Sequence, residues 1–309
     1  MRLFDNFNCI DAKSVANLLG IPLYVADFRN HFAVIQNYFI YEYLRGKTPN
    51  PCVHCNKFIK FGLLLDFAMS IGADFFATGH YARIIHEDNR FKLKKASDIK
   101  KDQSYVLYNL SADNLSRIIF PLGEMSKSDT RKLAESLNLP VANKPDSQEI
   151  CFVPNDDYKA FIASRAGDAE ALKAGNIVDT KGNILGRHNG VANYTIGQRK
   201  GLGIAAECPL YVVRLDVANH QVVVGRSEEL FSDELTANNV HWIYKPKNFP
   251  VKLQAKIRYG FRVNDCIVES FGENLHVKFF EPQRAITKGQ SIVFYDGDEV
   301  LGGGVIDNV

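Results

Sequence analysis

The stretch Lys57-Phe-Ile-Lys-Phe-Gly-Leu-Leu-Leu-Asp-Phe-Ala-Met-Ser-Ile-Gly-Ala-Asp-Phe-Phe-Ala-Thr-Gly-His80 passes from a helix-forming run into a short apolar strand and ends in a glycine loop. Gly72 closes a helix over 57–71, and 74–78 is compact and apolar enough to be a buried strand. Upstream, Asp11 caps a short helix whose apolar face is Ala12, Val15, Ala16 and Leu19, ended by Gly20. An extended stretch over 21–28 and an aromatic-rich helix over 30–44 follow. Thr48-Pro-Asn-Pro51 is non-helical, because each proline pushes its predecessor into extended geometry. Downstream, Ser126 and Asp129 open a helix over 127–137, with Pro140 beyond its end. Strand–helix alternation of this kind predicts an α/β domain with a parallel sheet.

The character changes after Phe152. A helical piece over 157–166 is followed by glycine-rich turns and short strands at 211–217 and 221–224. From Leu230 onward the pattern is nearly all β. Val251, Leu253, Ala255, Ile257 and Tyr259 alternate with Lys252, Gln254, Lys256 and Arg258, and Asp296-Gly297 is a hairpin signal. Closely spaced short strands predict a small C-terminal barrel. The expected fold class is therefore α/β plus β: a Rossmann-like catalytic domain over 1–153, a small central α+β connector over 154–226 and a β-barrel over 227–309.

The 309 residues carry 37 basic and 35 acidic side chains, a formal net charge of +2. Hydrophobic residues at 46% and charged residues at 23% exclude a disordered chain. No window reaches the roughly 18 consecutive apolar residues of a membrane span, and Met1-Arg-Leu-Phe-Asp5 is no secretory leader, so the expectation is a cytoplasmic protein. Near-neutral charge leaves room for a nucleic-acid partner held by local patches.

Six cysteines, Cys9, Cys52, Cys55, Cys151, Cys208 and Cys266, are too few for a disulfide scaffold. Cys52-Val-His-Cys55 lacks the second close ligand pair that zinc requires, so no metal is expected. The pair precedes a helix, where a thiolate is stabilised, yet two structural cysteines fit the pattern slightly better. Cys151, flanked by Ile150 and Phe152, is by itself a core cysteine; nucleophilic chemistry would need an accessible thiolate, with Lys144 as the nearby cation. Gly79 and His80 follow a strand, where an open α/β sheet binds ligands; alone the signal is weak, and a turn with a satisfied histidine is the plain alternative. The loop Asn193-Tyr-Thr-Ile-Gly-Gln-Arg-Lys-Gly-Leu-Gly203 and the face Lys252, Lys256 and Arg258 suit nucleic-acid backbone contact or a wet surface.

Together these segments carry more than any one of them. Thr48-Pro-Asn-Pro-Cys-Val-His-Cys-Asn56, Ala77-Thr-Gly-His-Tyr-Ala-Arg83, Lys101-Asp-Gln-Ser-Tyr105, Phe120-Pro-Leu-Gly123, Asp146-Ser-Gln-Glu-Ile-Cys-Phe152, the 193–203 loop and Leu301-Gly-Gly-Gly304 occur in this order. In this the chain closely resembles the bacterial tRNA-specific 2-thiouridylases over essentially its whole length. The resemblance implies 2-thiolation of the wobble uridine of tRNA. ATP, with Mg2+, adenylates the base, and a persulfide supplies the sulfur. Residue by residue it implies Cys151 as persulfide carrier and Cys55 as the thiol that helps release the sulfur, the two ending as a disulfide. It implies Gly79 as a nucleotide contact, and His80, Lys101, Asp102, Gln103, Arg258, Tyr259 and Gln290 as tRNA contacts. Implied partners are tRNA and a cysteine desulfurase or sulfur-relay protein as donor.

One departure stands against it. The family opens with a strand running into a Ser-Gly-Gly-x-Asp-Ser loop that cradles the ATP pyrophosphate, and no such loop occurs here. The chain as written is expected to be an N-terminally truncated PP-loop protein, impaired in adenylation. The rival expectation is a noncatalytic tRNA-binding paralogue.

Overall fold

The structure, a computed structural model, describes residues 6–144 and 150–309. Cys151 falls inside this range, whereas Asp146-Ser-Gln-Glu149 of its motif lies outside the described residues. The chain divides into two compact units, one of residues 1–33, 52–158 and 298–300, the other of residues 34–51, 159–297 and 301–309.

In the first unit, α1 (Asn6–Leu19) ends at Gly20 as the spacing predicts. The 21–28 stretch is not a strand but irregular backbone, with Ile21, Leu23, Tyr24 and Val25 exposed. A strand is stabilised by its ladder, and among the described residues nothing pairs with this one. Helix α2 (Arg29–Leu44) leaves the unit after Ala33. A continuous helical run then comprises α3 (Pro51–His54), a π-helix (Cys55–Leu63) and α4 (Leu64–Ser70). Sequence periodicity foresees this helix but not its wide middle.

The expected strand over 74–78 shortens to β1 (Phe76–Ala77), followed by the hairpin β2 (Ala82–Glu87) and β3 (Arg90–Lys95). Further on are α5 (Ala112–Leu115), β4 (Ile118–Ile119) and α6 (Lys127–Ser136). Ser126 caps α6, its hydroxyl accepting from the Asp129 amide at 3.2 Å. The parallel sheet consists, among the described residues, of β1 and β4 alone, with Phe76 opposite Ile118. Phe120-Pro-Leu-Gly123 leaves β4 and turns against β2. A Cβ on Gly123 would lie 2.0 Å from the Ala82 carbonyl oxygen, so only glycine permits that approach.

The second unit receives α7 (Tyr158–Ala166), β5 (Gly175–Asp179), β6 (Ile184–His188), β7 (Tyr211–Asp216) and β8 (Gln221–Gly225). These strands form a sheet in the order β6-β5-β8-β7 over a core that includes Ile177, Val191, Tyr194, Val212 and Val222. The 193–203 loop is thus partly structural. Tyr194 and Leu202 pack in that core, while Arg199 and Lys200 stay at the surface.

Strands β9 (Phe231–Trp242), β10 (Val251–Lys256), β11 (Asn264–Phe271), β12 (Asn274–Arg284), β13 (Ser291–Asp296) and β14 (Glu299–Asn308) run in the order β13-β10-β11-β12-β9-β14. Pairing of β13 with β14 closes them into the expected barrel. Leu253, Ala255, Val268, Val277, Phe279 and Phe294 fill it. Tyr259 departs from its expected inward face: β10 ends at Lys256, the alternation lapses, and the Tyr259 side chain is exposed.

Gly123→Ala is expected to destabilise the protein by roughly 1–3 kcal/mol, the usual cost of forcing extra atoms into a packed site. Urea denaturation monitored by circular dichroism measures it, and an unchanged midpoint would mean that the turn relaxes freely.

Candidate functional site

The thiols are set by the helical run. Cys52 and Cys55 stand three residues apart and share a helix face. From Cys55 the register widens to i→i+5, which stacks residues five apart and brings Lys60 onto the face of Cys55. The Leu64 amide marks the return to α geometry by donating to both the Ile59 and Lys60 carbonyls. The π register also explains Gly62, five residues after Lys57: a Cβ there would press on the Lys57 carbonyl oxygen at 3.1 Å. Asn114 of α5 donates its side-chain amide to the Phe61 carbonyl at 2.9 Å, and Asn56 donates to the Val106 carbonyl at 3.0 Å. Side chains outside the helix thereby hold its irregular stretch in place.

Cys151 reaches the same neighbourhood on a turn closed by the Val153 amide donating to the Ile150 carbonyl at 3.0 Å. Buried Phe152 anchors that turn, its ring meeting Phe32 edge-on at 5.7 Å between centroids. Cys151 itself is exposed, contrary to the isolated-residue expectation of a core cysteine. It lies close enough to Cys52 and Cys55 for its charge to be felt at both. The expected cation, Lys144, instead pairs with Asp11 at 2.6 Å. Among the described residues, Lys60 is a cation whose field reaches all three sulfurs.

Crowding by neighbouring atoms pushes each of these thiols up, Cys55 to about 11, and Lys60 opposes the rise. At neutral pH the resting site is mostly protonated. His80, in the loop after β1, is buried between Phe61 and Phe120 at centroid distances of 5.6 and 5.8 Å. Burial first, and Lys60 second, lower its pKa to about 3, so the ring is neutral. The Lys60 ammonium donates to His80 Nε2 at 3.4 Å; the proton then sits on Nδ1 and is donated to Thr78 Oγ1 at 2.7 Å. His54, pushed down to about 4 by burial and then by Lys57, is also neutral.

The other expected site residues occupy varied settings. Gly79 is open: a Cβ there would meet only Leu122 Cδ1, at 3.7 Å. Asp102 is buried and accepts from the Ala96 and Ser104 amides at 3.1 and 3.2 Å. Gln103 accepts from the Tyr81 amide at 2.9 Å, and both Gln103 and Lys101 are half-buried. In the second unit, buried Gln290 donates to the Thr48 carbonyl at 2.7 Å. Arg258 donates to Thr287 Oγ1 at 3.5 Å and lies 5.7 Å from the Phe261 ring centroid. Exposed Tyr259 has Lys256 Nζ 5.8 Å from its ring centroid. Among the described residues no cluster of His, Cys, Asp or Glu is arranged to hold a metal, and no helix is long and apolar enough to cross a membrane.

The α/β unit thus carries three neighbouring thiols, and the chain also folds a closed β-barrel. The family model for the tRNA methyl transferase HUP domain matches residues 5–155. The tRNA methyl transferase PRC-barrel domain matches residues 159–226, and the aminomethyltransferase beta-barrel domain residues 232–306. The tRNA-specific 2-thiouridylase MnmA of Acetivibrio thermocellus is 51% identical over 301 residues, covering 96% of this chain and 83% of the relative. The enzyme of that name from Carboxydothermus hydrogenoformans is 50% identical over 304 residues, covering 96% and 82%. That of Clostridium acetobutylicum is 47% identical over 299 residues, covering 96% and 84%. The chain belongs to the MnmA family of tRNA-specific 2-thiouridylases. Its architecture is a Rossmann-like HUP domain, a PRC-barrel middle domain and a C-terminal β-barrel.

The family implies ATP. Gly79 offers a nucleotide close backbone approach, but among the described residues no glycine-rich loop opens a helix to hold a polyphosphate. Gly79 is the residue described here that would lie against such a nucleotide.

The two neutral histidines predict an acid-sensitive fold. Unfolded histidine takes up a proton near pH 6.5, whereas folded His54 and His80 resist until about 4 and 3, so stability falls as pH drops through that interval. The melting temperature is expected to fall between pH 7 and pH 5, and less so in His54→Gln. Identical pH dependence in the two proteins would exclude this contribution.

Proposed function

We propose that the protein thiolates the C2 position of a tRNA wobble uridine, with Cys151 carrying the sulfur and Cys55 releasing it. The observation that supports this most is the convergence of Cys55 and Cys151 in one electrostatic neighbourhood, although 96 residues of sequence separate them. Residues 1–153 would form the catalytic part, 154–226 the connector and 227–309 the tRNA-binding barrel. The protein would act in the cytoplasm, taking sulfur from a cysteine desulfurase or relay protein.

The thiol chemistry balances as follows. A donor leaves one sulfur on Cys151 as a persulfide. Its terminal sulfur attacks the activated C2, forming a C–S bond as the former C2 oxygen departs on its leaving group. The Cys55 thiolate then attacks Cys151 Sγ, forming the Cys55–Cys151 disulfide and returning the electron pair of the broken S–S bond to the sulfur on C2. Two thiols are oxidised and one sulfane sulfur is reduced, so a thiol reductant must regenerate the site. Cys52 has no step in this scheme. The activated uridine belongs to the ATP-dependent half of the family's reaction, with Gly79 as a nucleotide contact and Mg2+ as its companion ion.

A tRNA partner is supported by the barrel. Tyr259 presents an exposed ring beside Lys256, and neighbouring Arg258 adds positive charge, which suits stacking of an unpaired base with phosphate contact. Lys101, Asp102, Gln103, His80 and Gln290 remain proposed contacts. For Asp102, Gln103 and Gln290 the side-chain bonds already described make a role in shaping the contacting loops the more direct one.

Cys151→Ser is expected to abolish 2-thiouridine formation, read as loss of retarded migration in a mercury-containing gel, while tRNA binding persists. Tyr259→Ala is expected to weaken tRNA binding about tenfold, the scale of one lost base–aromatic stack. Full thiolation by Cys151→Ser would overturn the carrier assignment. Binding by both variants without thiolation by the unaltered chain, ATP and a sulfur donor being supplied, would favour the noncatalytic reading.

A further inference from the structure

We propose that Lys60 is the positioning cation of the thiol site, held by His80 so that its ammonium stabilises anionic sulfur on both Cys55 and Cys151. The proposal rests on the thiol assignment above and adds to it the group that makes those sulfurs reactive.

Three independent features place Lys60 there. The π register stacks it on Cys55; in an α-helix a residue five positions on would be turned off that face. Its tip is then fixed by His80 Nε2 at 3.4 Å, and His80 is itself fixed by Thr78 and by burial against Phe61 and Phe120. Finally, among the described residues the partner of the Lys60 ammonium is the neutral His80 ring, and no carboxylate is paired with it. Around it, its own element contributes Cys55, Cys52 and, through His54, Lys57; the loop after β1 contributes neutral His80; the 150–153 turn contributes Cys151. A lysine paired with a carboxylate would present little field to a thiolate. One leaning on a neutral imidazole keeps its charge available.

The consequence for the reaction is specific. Each step of sulfur transfer needs anionic sulfur: the persulfide on Cys151 as it attacks, then Cys55 as it displaces. Desolvation raises both thiols, and an opposite charge within a few ångströms commonly offsets such a rise by one unit or more. One cation between two sulfurs can serve the first anion and then the second without moving far.

The test is site-resolved alkylation of the full chain by iodoacetamide between pH 6 and pH 10.5, quantified by peptide mass spectrometry for Cys55 and Cys151. Neither tRNA nor ATP is needed. Lys60→Met is expected to slow alkylation of both thiols about tenfold at pH 8, by shifting their reactivity profiles upward about one unit, whereas Lys60→Arg restores most of the rate. Cys208, in the other unit, is the internal reference and is expected to be unaffected. Should Lys60→Met lose its cooperative melt, Lys60→Gln takes its place. Profiles for Cys55 and Cys151 that stay within experimental scatter of the unaltered protein, in a variant that melts normally, would overturn the proposal. So would an Arg variant as slow as the Met variant. These results are separate from the thiolation assay: Cys151→Ser can fail to change tRNA thiolation while Lys60 still tunes the thiols, and the reverse is equally distinguishable.

Discussion

The hydrogen bond from Lys60 to His80 joins two parts of the first unit that sequence alone keeps twenty residues apart. On one side is a helix whose register is wide over nine residues; on the other, a strand end whose loop carries the open Gly79. A π register is costly, because it leaves helix geometry less closely packed and is seen mostly as short bulges. Here Gly62 accommodates the Lys57 carbonyl, Asn114 caps the Phe61 carbonyl, and three aromatic rings, Phe61, Phe76 and Phe120, brace its inner face. Without the widened turn Lys60 would leave the Cys55 face, and without His80 its long side chain would be free to swing into water.

The burial that positions the thiols also works against them. A sulfur surrounded by protein atoms loses the hydration that a thiolate needs, and Cys55 shows the effect most strongly among the three. A site built this way stays quiet in the resting protein and becomes reactive only where a charge has been arranged for it. Neutral His80 and His54 add no competing positive charge of their own at physiological pH, so control of the sulfur falls to the lysine.

Much of this was legible in the sequence. The helix over 57–71, the Ser126 cap, the hairpin turn at Asp296-Gly297 and the alternation that buries Leu253 and Ala255 follow from local periodicity and turn chemistry, and they appear as expected. What escaped was set by tertiary partners. The 21–28 stretch has strand-like residues but no ladder, and Tyr259 alternates with β10 only on paper because the strand stops three residues earlier. In the sequence Lys60 is a lone charge between Ile59 and Phe61. Its role depends on a register that no 3.6-residue pattern encodes, whereas Lys144, near Cys151 in sequence, is engaged by Asp11. Family motifs brought Cys55 and Cys151 together where spacing arguments left each of them open.

The most direct measurement follows one round of sulfur transfer. The chain is loaded with persulfide, mixed with unmodified tRNA and ATP without reductant, quenched by alkylation and digested. The account predicts a Cys55–Cys151 disulfide peptide in amounts matching the 2-thiouridine formed, one crosslink per thiolated base. Thiouridine accumulating while both cysteines are recovered as alkylated thiols would contradict it.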